Sequence, residues 1–212
     1  MQNPTTNGAL TREGFVEQAF HAGALPADKA GKTIPVHPSD VIAFWSEAGP
    51  SCWFAKDETF DRCFRNTFIN AYEAACRDEF DHWRRTPGGA LALVLLLDQF
   101  PRNAFRGTPR MYTSDALALG IAEEAIAKGR DRHIDADLRL FLYLPFAHSE
   151  SLVHQERSVA LCRELGGKNL AHAEGHRDIV KRFGRFPHRN LILGREMTDE
   201  EQRFLDAGGF AG

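Results

Sequence analysis

The sequence lacks the features that identify a membrane protein or one of the common enzyme classes. Its longest apolar run, from Ala90 to Leu97, has eight residues, whereas a membrane-spanning helix needs about 20. No Walker sequence, dinucleotide-binding glycine pattern or nucleophile elbow is present. Alternation of polar and apolar residues, which is typical of strands, never extends over a useful length. We therefore expect no β-sheet and no membrane partner.

Cysteine is also scarce, and its spacing excludes the usual cysteine-based sites. Cys52, Cys63, Cys76 and Cys162 are the four cysteines, and no two have the spacing of a metal site or a redox pair. Because the sequence also lacks a secretory leader pattern, we expect reduced thiols and a cytoplasmic location.

His172 and His176 share one helical face, but the string HAEGH lacks the glutamate that follows the first histidine in zinc-binding helices. No metal and no cofactor are predicted.

The charge of the chain gives no signal for a polyanionic partner. The formal net charge is −3 at pH 7, so nothing draws the protein to nucleic acid or to an anionic membrane. Arginine accounts for 20 of the 26 basic residues. Such an excess suits the binding of carboxylates or phosphates, although a GC-rich genome produces the same excess without functional meaning.

Recurring helix-start residues predict an all-α protein. N-terminal capping signals precede apolar helical stretches at Asp57, at Thr86-Pro87, and at Thr198 with Glu201. Aromatic residues at four-residue spacing from Phe60 to Phe80 predict one long central helix, from Asp57 to about Arg84. The length fits one domain. We expect residues 1–34 to form a partly flexible extension with a possible short helix over residues 11–21, and residues 35–212 to form a single all-helical domain.

Two similar stretches carry most of the polar chemistry. We call Leu97–Gly107 (LDQFPRNAFRG) the first corner and Lys181–Arg195 (KRFGRFPHRNLILGR) the second corner. In each, an apolar helix meets a Phe-Pro pair that is predicted to break it, and arginine and asparagine follow. Arginines near helix C-termini also bond the last carbonyl groups, so both corners could be no more than helix stops. The shared Arg-Asn pair favours one common site.

Polar residues in and near the two corners form the candidate ligand-binding site. A carboxylate in an apolar helix needs a partner when it is buried. Asp98 is therefore either bonded to an arginine or histidine inside the site, or placed near solvent at a helix end and paired with Arg102. The full candidate set is Asp98, Arg102, Asn103, Arg106, His148, Glu150, His176, Arg182, Arg185, His188, Arg189 and Asn190. No catalytic residue is assigned.

Several strings resemble the bacterial family called domain of unknown function 924. They are LDQFPRNAFRG and the string from His176 to Arg195, together with LPFAHSE, VIAFWSEAGPSCWFAKD and MTDEEQRFL, and the similarity covers about residues 35–210. Ala147 stands where the family pattern usually has an aromatic or aliphatic residue. The resemblance implies about eight to nine helices, stacked as antiparallel hairpins in a right-handed, tetratricopeptide-like array. It implies no activity.

Three functions remain open from the sequence. We favour a binding module whose corners bind an anionic small molecule or an acidic peptide. The arginines could instead form a purely structural network with buried carboxylates. The protein could also be a hydrolase for a phosphorylated or acidic small molecule, with His176 or His188 carrying protons and Asp98 or Glu150 orienting them. The sequence contains no signal for an oligomeric state.

Overall fold

The computed structural model describes residues 36–211, and this part of the chain is helical throughout. It contains no β-strand among the described residues, which confirms the all-α prediction. The expected extension of residues 1–34, with its possible helix over residues 11–21, lies outside the described range. No described helix combines the length and the apolar composition needed to cross a bilayer.

The described residues form eight helices of eight or more residues and two shorter ones, in agreement with the eight to nine helices expected. The helices are α1 (Pro38–Ala48), α2 (Pro50–Trp53), α3 (Glu58–Cys76), α4 (Pro87–Val94), α5 (Phe100–Ala104), α6 (Asp115–Ala127), α7 (Ala136–His148), α8 (Leu152–Leu165), α9 (Gly167–Phe183) and α10 (Asp199–Asp206). Single 3₁₀ turns occur at Asp81–Arg85, Pro109–Tyr112, Arg130–His133 and Pro187–Arg189. Helix α8 packs against both α7 and α9, its neighbours along the chain. The tetratricopeptide-like array stays a prediction.

The helix-start predictions are confirmed by the hydrogen bonds of the caps. An oxygen of Asp57 accepts from the backbone N–H of Thr59 and of Phe60 at the start of α3. The hydroxyl of Thr86 accepts from the N–H of Gly89 in α4. At α10 the caps are reciprocal, since Thr198 accepts from the N–H of Glu201 and the Glu201 carboxylate accepts from the N–H of Thr198.

The prediction of one helix from Asp57 to about Arg84 is wrong, because α3 ends at Cys76. Asp78 then adopts a φ of 58°, a left-handed conformation that aspartate tolerates better than most residues. The chain continues through a separate 3₁₀ turn, in which Trp83 stacks on Phe80 with ring centroids 4.3 Å apart. The left-handed Asp78 and the local stacking of Phe80 on Trp83 thus interrupt a chain whose aromatic spacing resembles one helix.

Helix α4 and the turn that follows it run through the core. Every residue from Gly89 to Pro101 is buried, as the apolar sequence predicts. Phe100, at the end of this segment, lies 5.2 Å from Phe64 and 5.0 Å from Tyr72 between ring centroids. These contacts join α3 to α5. The same buried segment carries Asp98 into the protein interior.

The prediction of a helix break at Phe100-Pro101 is also wrong. Residues Leu95–Gln99 form a π-helical turn that leads directly into α5. Pro101 lies in the first turn of α5, where a missing N–H costs little. Arg102 and Asn103 therefore project from a short helix rather than from a loop. Turns of the π type occur often at functional sites.

Candidate functional site

A cavity of about 770 Å³ lies between the two corners. Its wall includes Arg102 from α5, His148 from the end of α7, and His176 from α9. His188 and Arg189 enter it from the 3₁₀ turn of the second corner. The cavity thus collects polar side chains from four segments that are distant in sequence.

The two corners meet at one carboxylate, that of Asp115 at the start of α6. The guanidinium of Arg102 donates to both oxygens of Asp115, at 2.9 and 3.1 Å. Nη1 of Arg189 is 4.0 Å from Oδ2 of the same carboxylate. Both guanidinium groups also lie over the ring of Tyr112, at 5.9 Å for Arg102 and 4.7 Å for Arg189. Asp115 and Tyr112 therefore hold the corners together.

Asp98 is fully buried behind the cavity wall and is bonded on three sides. Its Oδ1 lies 2.7 Å from Nδ1 of His148 and 3.1 Å from Nη1 of Arg102. Its Oδ2 accepts from the amide of Gln99 at 2.6 Å. Burial alone would raise the pKa of Asp98, but the charge of Arg102 and the hydrogen bonds outweigh burial and lower that pKa. Asp98 is thus an ionised buried carboxylate, and the solvent-exposed alternative is wrong.

The carboxylate of Asp98 fixes the tautomer of His148. An ionised carboxylate can only accept, so the hydrogen on the imidazole lies on Nδ1. Burial and the neighbouring Arg102 lower the pKa of His148, which keeps the ring neutral at neutral pH. Its other nitrogen, Nε2, makes no hydrogen bond to a residue between 36 and 211, and the side chain is 16% exposed and lines the cavity. His148 therefore offers the cavity a lone pair at Nε2.

Arg189 is buried in the cavity wall without a close ionic partner. The residue is 7% exposed, and its guanidinium stacks on Tyr112 and on Phe186 at 4.7 and 4.5 Å. Within the described chain, its Nε has no hydrogen-bond partner. Burial and the nearby positive charge of Arg102 lower the pKa of Arg189, but a guanidinium remains charged at neutral pH. Its charge is therefore only partly compensated.

His176 and His188 stand opposite an aromatic edge of the cavity. Phe210 lies 4.7 Å from the ring of His176 and 5.1 Å from the ring of His188. Burial and nearby positive charges lower the pKa of His176 to about 3 and that of His188 to about 4. Both rings are therefore neutral at neutral pH, and the charge of the wall comes from its lysines and arginines.

The wall of the cavity is cationic and aromatic. Five cationic side chains and no carboxylate are found among the described residues that line it; the cations are Lys56, Arg102, Arg106, Lys168 and Arg189. Five aromatic side chains line it as well, namely Trp53, Phe54, Tyr112, Phe186 and Phe210. His172 and His176 both face the cavity, but between residues 36 and 211 no group of three His, Cys, Asp or Glu side chains is arranged to hold a metal ion.

Seven of the twelve residues predicted for the site line the cavity: Arg102, Asn103, Arg106, His148, His176, His188 and Arg189. Asp98 lies behind them. Glu150 lies outside the lining, since its two oxygens bind the guanidinium of Arg195 at 2.7 and 3.0 Å. One oxygen of Glu150 also accepts from the backbone N–H of Phe186 at 2.8 Å. Glu150 therefore holds the second corner in place from behind.

The remaining three predicted residues belong to the packing of α10 and not to the cavity. Arg182 is 53% exposed on its side chain and pairs with Glu200 at 2.9 Å. Arg185 donates to both oxygens of Glu201, at 2.6 and 2.8 Å. Asn190 belongs to the second corner and is fully buried. These contacts join the second corner to the C-terminal helix.

Tyr112, Asp115, Lys168 and Phe210 are site residues that sequence reasoning missed. In the sequence Asp115 is an ordinary helix-start residue, and Phe210 follows a glycine pair at the end of the last helix. Neither position has a local pattern that distinguishes it, because its role comes from contacts with segments far away in the chain. Trp53 and Phe54, at the end of α2, also line the cavity.

Comparisons with known proteins give a family and no activity. The family of bacterial proteins of unknown function (DUF924) matches residues 41–209. The solved structure of a protein of unknown function from Agrobacterium tumefaciens is similar at 53% identity, over 81% of this chain and 97% of that chain, with a TM-score of 0.79. A search of curated proteins finds no match. The chain thus belongs to the DUF924 family of bacterial proteins of unknown function, in agreement with the resemblance of its motifs.

Proposed function

We propose that the protein binds a small organic anion in the cavity and that Arg189 contacts the anionic group. The observation that supports this proposal most directly is the incomplete pairing of Arg189. A buried charge is costly unless a counter-charge and hydrogen bonds compensate for it. The closest carboxylate oxygen is 4.0 Å away. A carboxylate or phosphate group in the cavity would supply the missing partner, for which the planar guanidinium is well suited.

Arg102 provides an internal comparison for this argument. It donates to both oxygens of Asp115, at 2.9 and 3.1 Å, and to the carbonyl oxygen of Asp98 at 2.8 Å. Three of its five N–H donors are thus used within the protein, which gives Arg102 a structural role, and both oxygens of Asp115 are taken by Arg102 rather than by Arg189. The purely structural alternative therefore suits Arg102, and it suits Arg185 with its carboxylate partner Glu201. It does not explain Arg189.

The aromatic part of the wall indicates the rest of the ligand. Phe54 and Phe210 line the cavity and remain accessible to water, with 64% and 42% of their surface exposed. Flat apolar surfaces of this kind bind aryl or alkyl groups through burial of their apolar area. A volume of about 770 Å³ is typical of small-molecule sites. We therefore favour a small anion with an apolar body over an acidic peptide.

A cytoplasmic location is part of the same proposal. All four cysteines are free thiols, and Cys52, Cys63 and Cys162 are buried. Persistent free thiols are typical of a reducing compartment. The cytoplasm also supplies small organic acids and phosphate esters as candidate ligands.

Isothermal titration calorimetry with matched anionic and neutral compounds tests the proposal. The panel contains aryl and alkyl carboxylates and phosphates, each beside its neutral amide or alcohol. We expect saturable binding of at least one anion and no binding of its neutral counterpart. Arg189→Gln should abolish that binding. Arg182→Gln is the matched control, because Arg182 belongs to the same stretch but is exposed and outside the cavity.

Two results would contradict the proposal. One is the absence of binding for every anion of the panel. The other is equal binding by the parent protein and Arg189→Gln, which would show that the anion sits elsewhere. Loss of binding in both arginine variants would also count against it, because a non-specific effect of surface charge would then explain the result.

A further inference from the structure

We infer that the cavity is also a hydrolytic active site, in which Asp98 orients His148 and His148 activates water against an ester of the bound anion. This inference rests on the proposed function, since Arg189 must hold the substrate by its anionic group. It goes further, because a binding site needs no oriented base. The geometry that supports it is the contact between Asp98 and His148, together with the place of His148 in the cavity wall.

The contact has the two elements that a histidine base needs. Oδ1 of Asp98 is 2.7 Å from Nδ1 of His148, and the carboxylate is fully buried. A carboxylate in this position fixes the ring orientation and the tautomer, and it stabilises the imidazolium that forms during reaction. Because His148 lines the cavity, Nε2 is the ring nitrogen left to accept a proton there. Asp98 is thus a positioning residue and His148 a catalytic residue.

No other histidine of the cavity has such an arrangement among the described residues. The Nδ1 atoms of His176 and His188 are buried without a hydrogen-bond partner in that part of the chain. Among the described residues, neither of these two histidines nor His172 is paired with a carboxylate, whereas His148 is. Glu150, the second carboxylate considered from the sequence, is bound by Arg195 and by the N–H of Phe186. The geometry therefore points to His148, which was not one of the two proton carriers considered from the sequence, with Asp98 as the carboxylate that orients it.

Water is the nucleophile that fits this wall. Cys162 lines the cavity, but burial raises the pKa of its thiol, which leaves it protonated and unreactive at neutral pH. In the proposed step, Nε2 of His148 takes a proton from water while the water oxygen bonds to the ester carbonyl carbon. The carbon–oxygen bond to the alcohol then breaks, and His148 returns its proton to the leaving oxygen. The products are a carboxylic acid and an alcohol, with no change of oxidation state.

The surroundings of His148 favour its basic form over a wide pH range. Five titratable or charged groups interact with it, from the π-turn and from α5, α6, α9 and the second corner: Asp98, Arg102, Asp115, His176 and His188. Burial and the charge of Arg102 together lower the pKa of His148, against the opposing effect of Asp98. A lower pKa keeps Nε2 unprotonated down to a more acidic pH, so the hydrolysis rate should already be at its plateau at pH 7.

The test uses the full chain and the probe 4-acetoxybenzoate, whose carboxylate and ester lie at opposite ends of one ring. We expect hydrolysis above the buffer rate, measured by release of 4-hydroxybenzoate. His148→Gln should lower kcat by about 100-fold or more, in the range that general bases contribute. Asp98→Asn should also lower kcat, because an amide cannot hold the same tautomer. His133→Gln is the control, since His133 is exposed and outside the cavity lining.

Calorimetric binding of 4-hydroxybenzoate separates this inference from the proposed function. If the parent protein binds 4-hydroxybenzoate but does not accelerate hydrolysis, the catalytic inference is overturned and anion binding stands. If hydrolysis is equal in the parent and in His148→Gln, the base is not His148 and the inference also fails. The inference is supported when His148→Gln still binds 4-hydroxybenzoate within about threefold of the parent but has lost the catalytic rate.

Discussion

Arg102 and Arg189, which both line the cavity, should respond differently to the same substitution. We predict that Arg102→Met strongly destabilises the protein in the absence of ligand, whereas Arg189→Met changes its stability little. Methionine keeps a flexible apolar side chain but lacks the guanidinium, so the charge, the donors and the stacking plane are removed together. The difference between the two variants therefore measures how far each guanidinium is compensated inside the folded protein.

The magnitudes follow from the contacts of each residue. Arg102→Met leaves Asp98, which is fully buried, and Asp115 without their shared cation. Breaking a buried pair in this way costs about 3–5 kcal/mol, or a fall in Tm of roughly 6–20 °C for a protein of this size. Arg189→Met loses stacking on Tyr112 and Phe186, at about 0.5–1 kcal/mol or more each. It also removes a buried cation whose desolvation costs several kcal/mol, so we expect a net change within about 1 kcal/mol.

Urea denaturation at pH 7, followed by far-ultraviolet circular dichroism, measures both changes. The urea dependence of the unfolding free energy should be the same for the parent and both variants, so that the midpoints can be compared directly. A loss of stability in Arg189→Met as large as that in Arg102→Met would refute the reasoning. It would show that Arg189 is fully compensated by protein groups and that the arginines form a structural network only.

Two further predictions concern the histidines and the glycines at the start of α4. His176 and His188 have folded pKa values of about 3 and about 4, below the unfolded value of about 6.5. The unfolded state therefore binds more protons in acid, and stability should fall below about pH 6.5 by at most about 1.4 kcal/mol per pH unit for each histidine. His176→Gln should reduce that slope in urea titrations between pH 6 and pH 5, and an unchanged slope would contradict the assignment. A Cβ at Gly89 would overlap the backbone carbonyl oxygen of Trp83, whereas a Cβ at Gly88 meets only a side-chain methyl of Ile42 at 3.5 Å. Gly89→Ala should thus lower Tm while Gly88→Ala leaves it equal or raises it by the helix preference of alanine, and equal effects in thermal melts would show that the overlap relaxes.

Local signals predicted the starts of three helices but not the course of every helix. The caps at Asp57, Thr86 and Thr198 can be predicted from a few consecutive residues, because the hydrogen bonds of a cap join residues two or three positions apart. The end of α3 at Cys76 and the π-turn before Phe100 escaped prediction. The four-residue spacing of the aromatic side chains carries no information about the left-handed conformation of Asp78 or about the π-turn at Leu95–Gln99.

The candidate site, like the helices, was predicted only in part from the sequence. Sequence reasoning selected polar residues in two similar corners, and seven of the twelve line one cavity. It could not separate Arg189 from Arg185, since both follow the same helix within a few positions. Arg185 is paired with Glu201, and Arg189 has only a distant oxygen of Asp115. Which carboxylate reaches which guanidinium is decided by the positions of α6 and α10.

The order of the amino acids was sufficient to predict that the described chain is all helical, where three of its helices begin, and which two stretches contribute arginines to the cavity. These properties depend on residues within a few positions of each other, where bond geometry limits the possible contacts. Only the tertiary structure decided that Asp98 faces His148, that both corners meet at Asp115, and that Arg189 stays partly unpaired. Each of these depends on distances between helices, and such distances follow from the packing of the whole core.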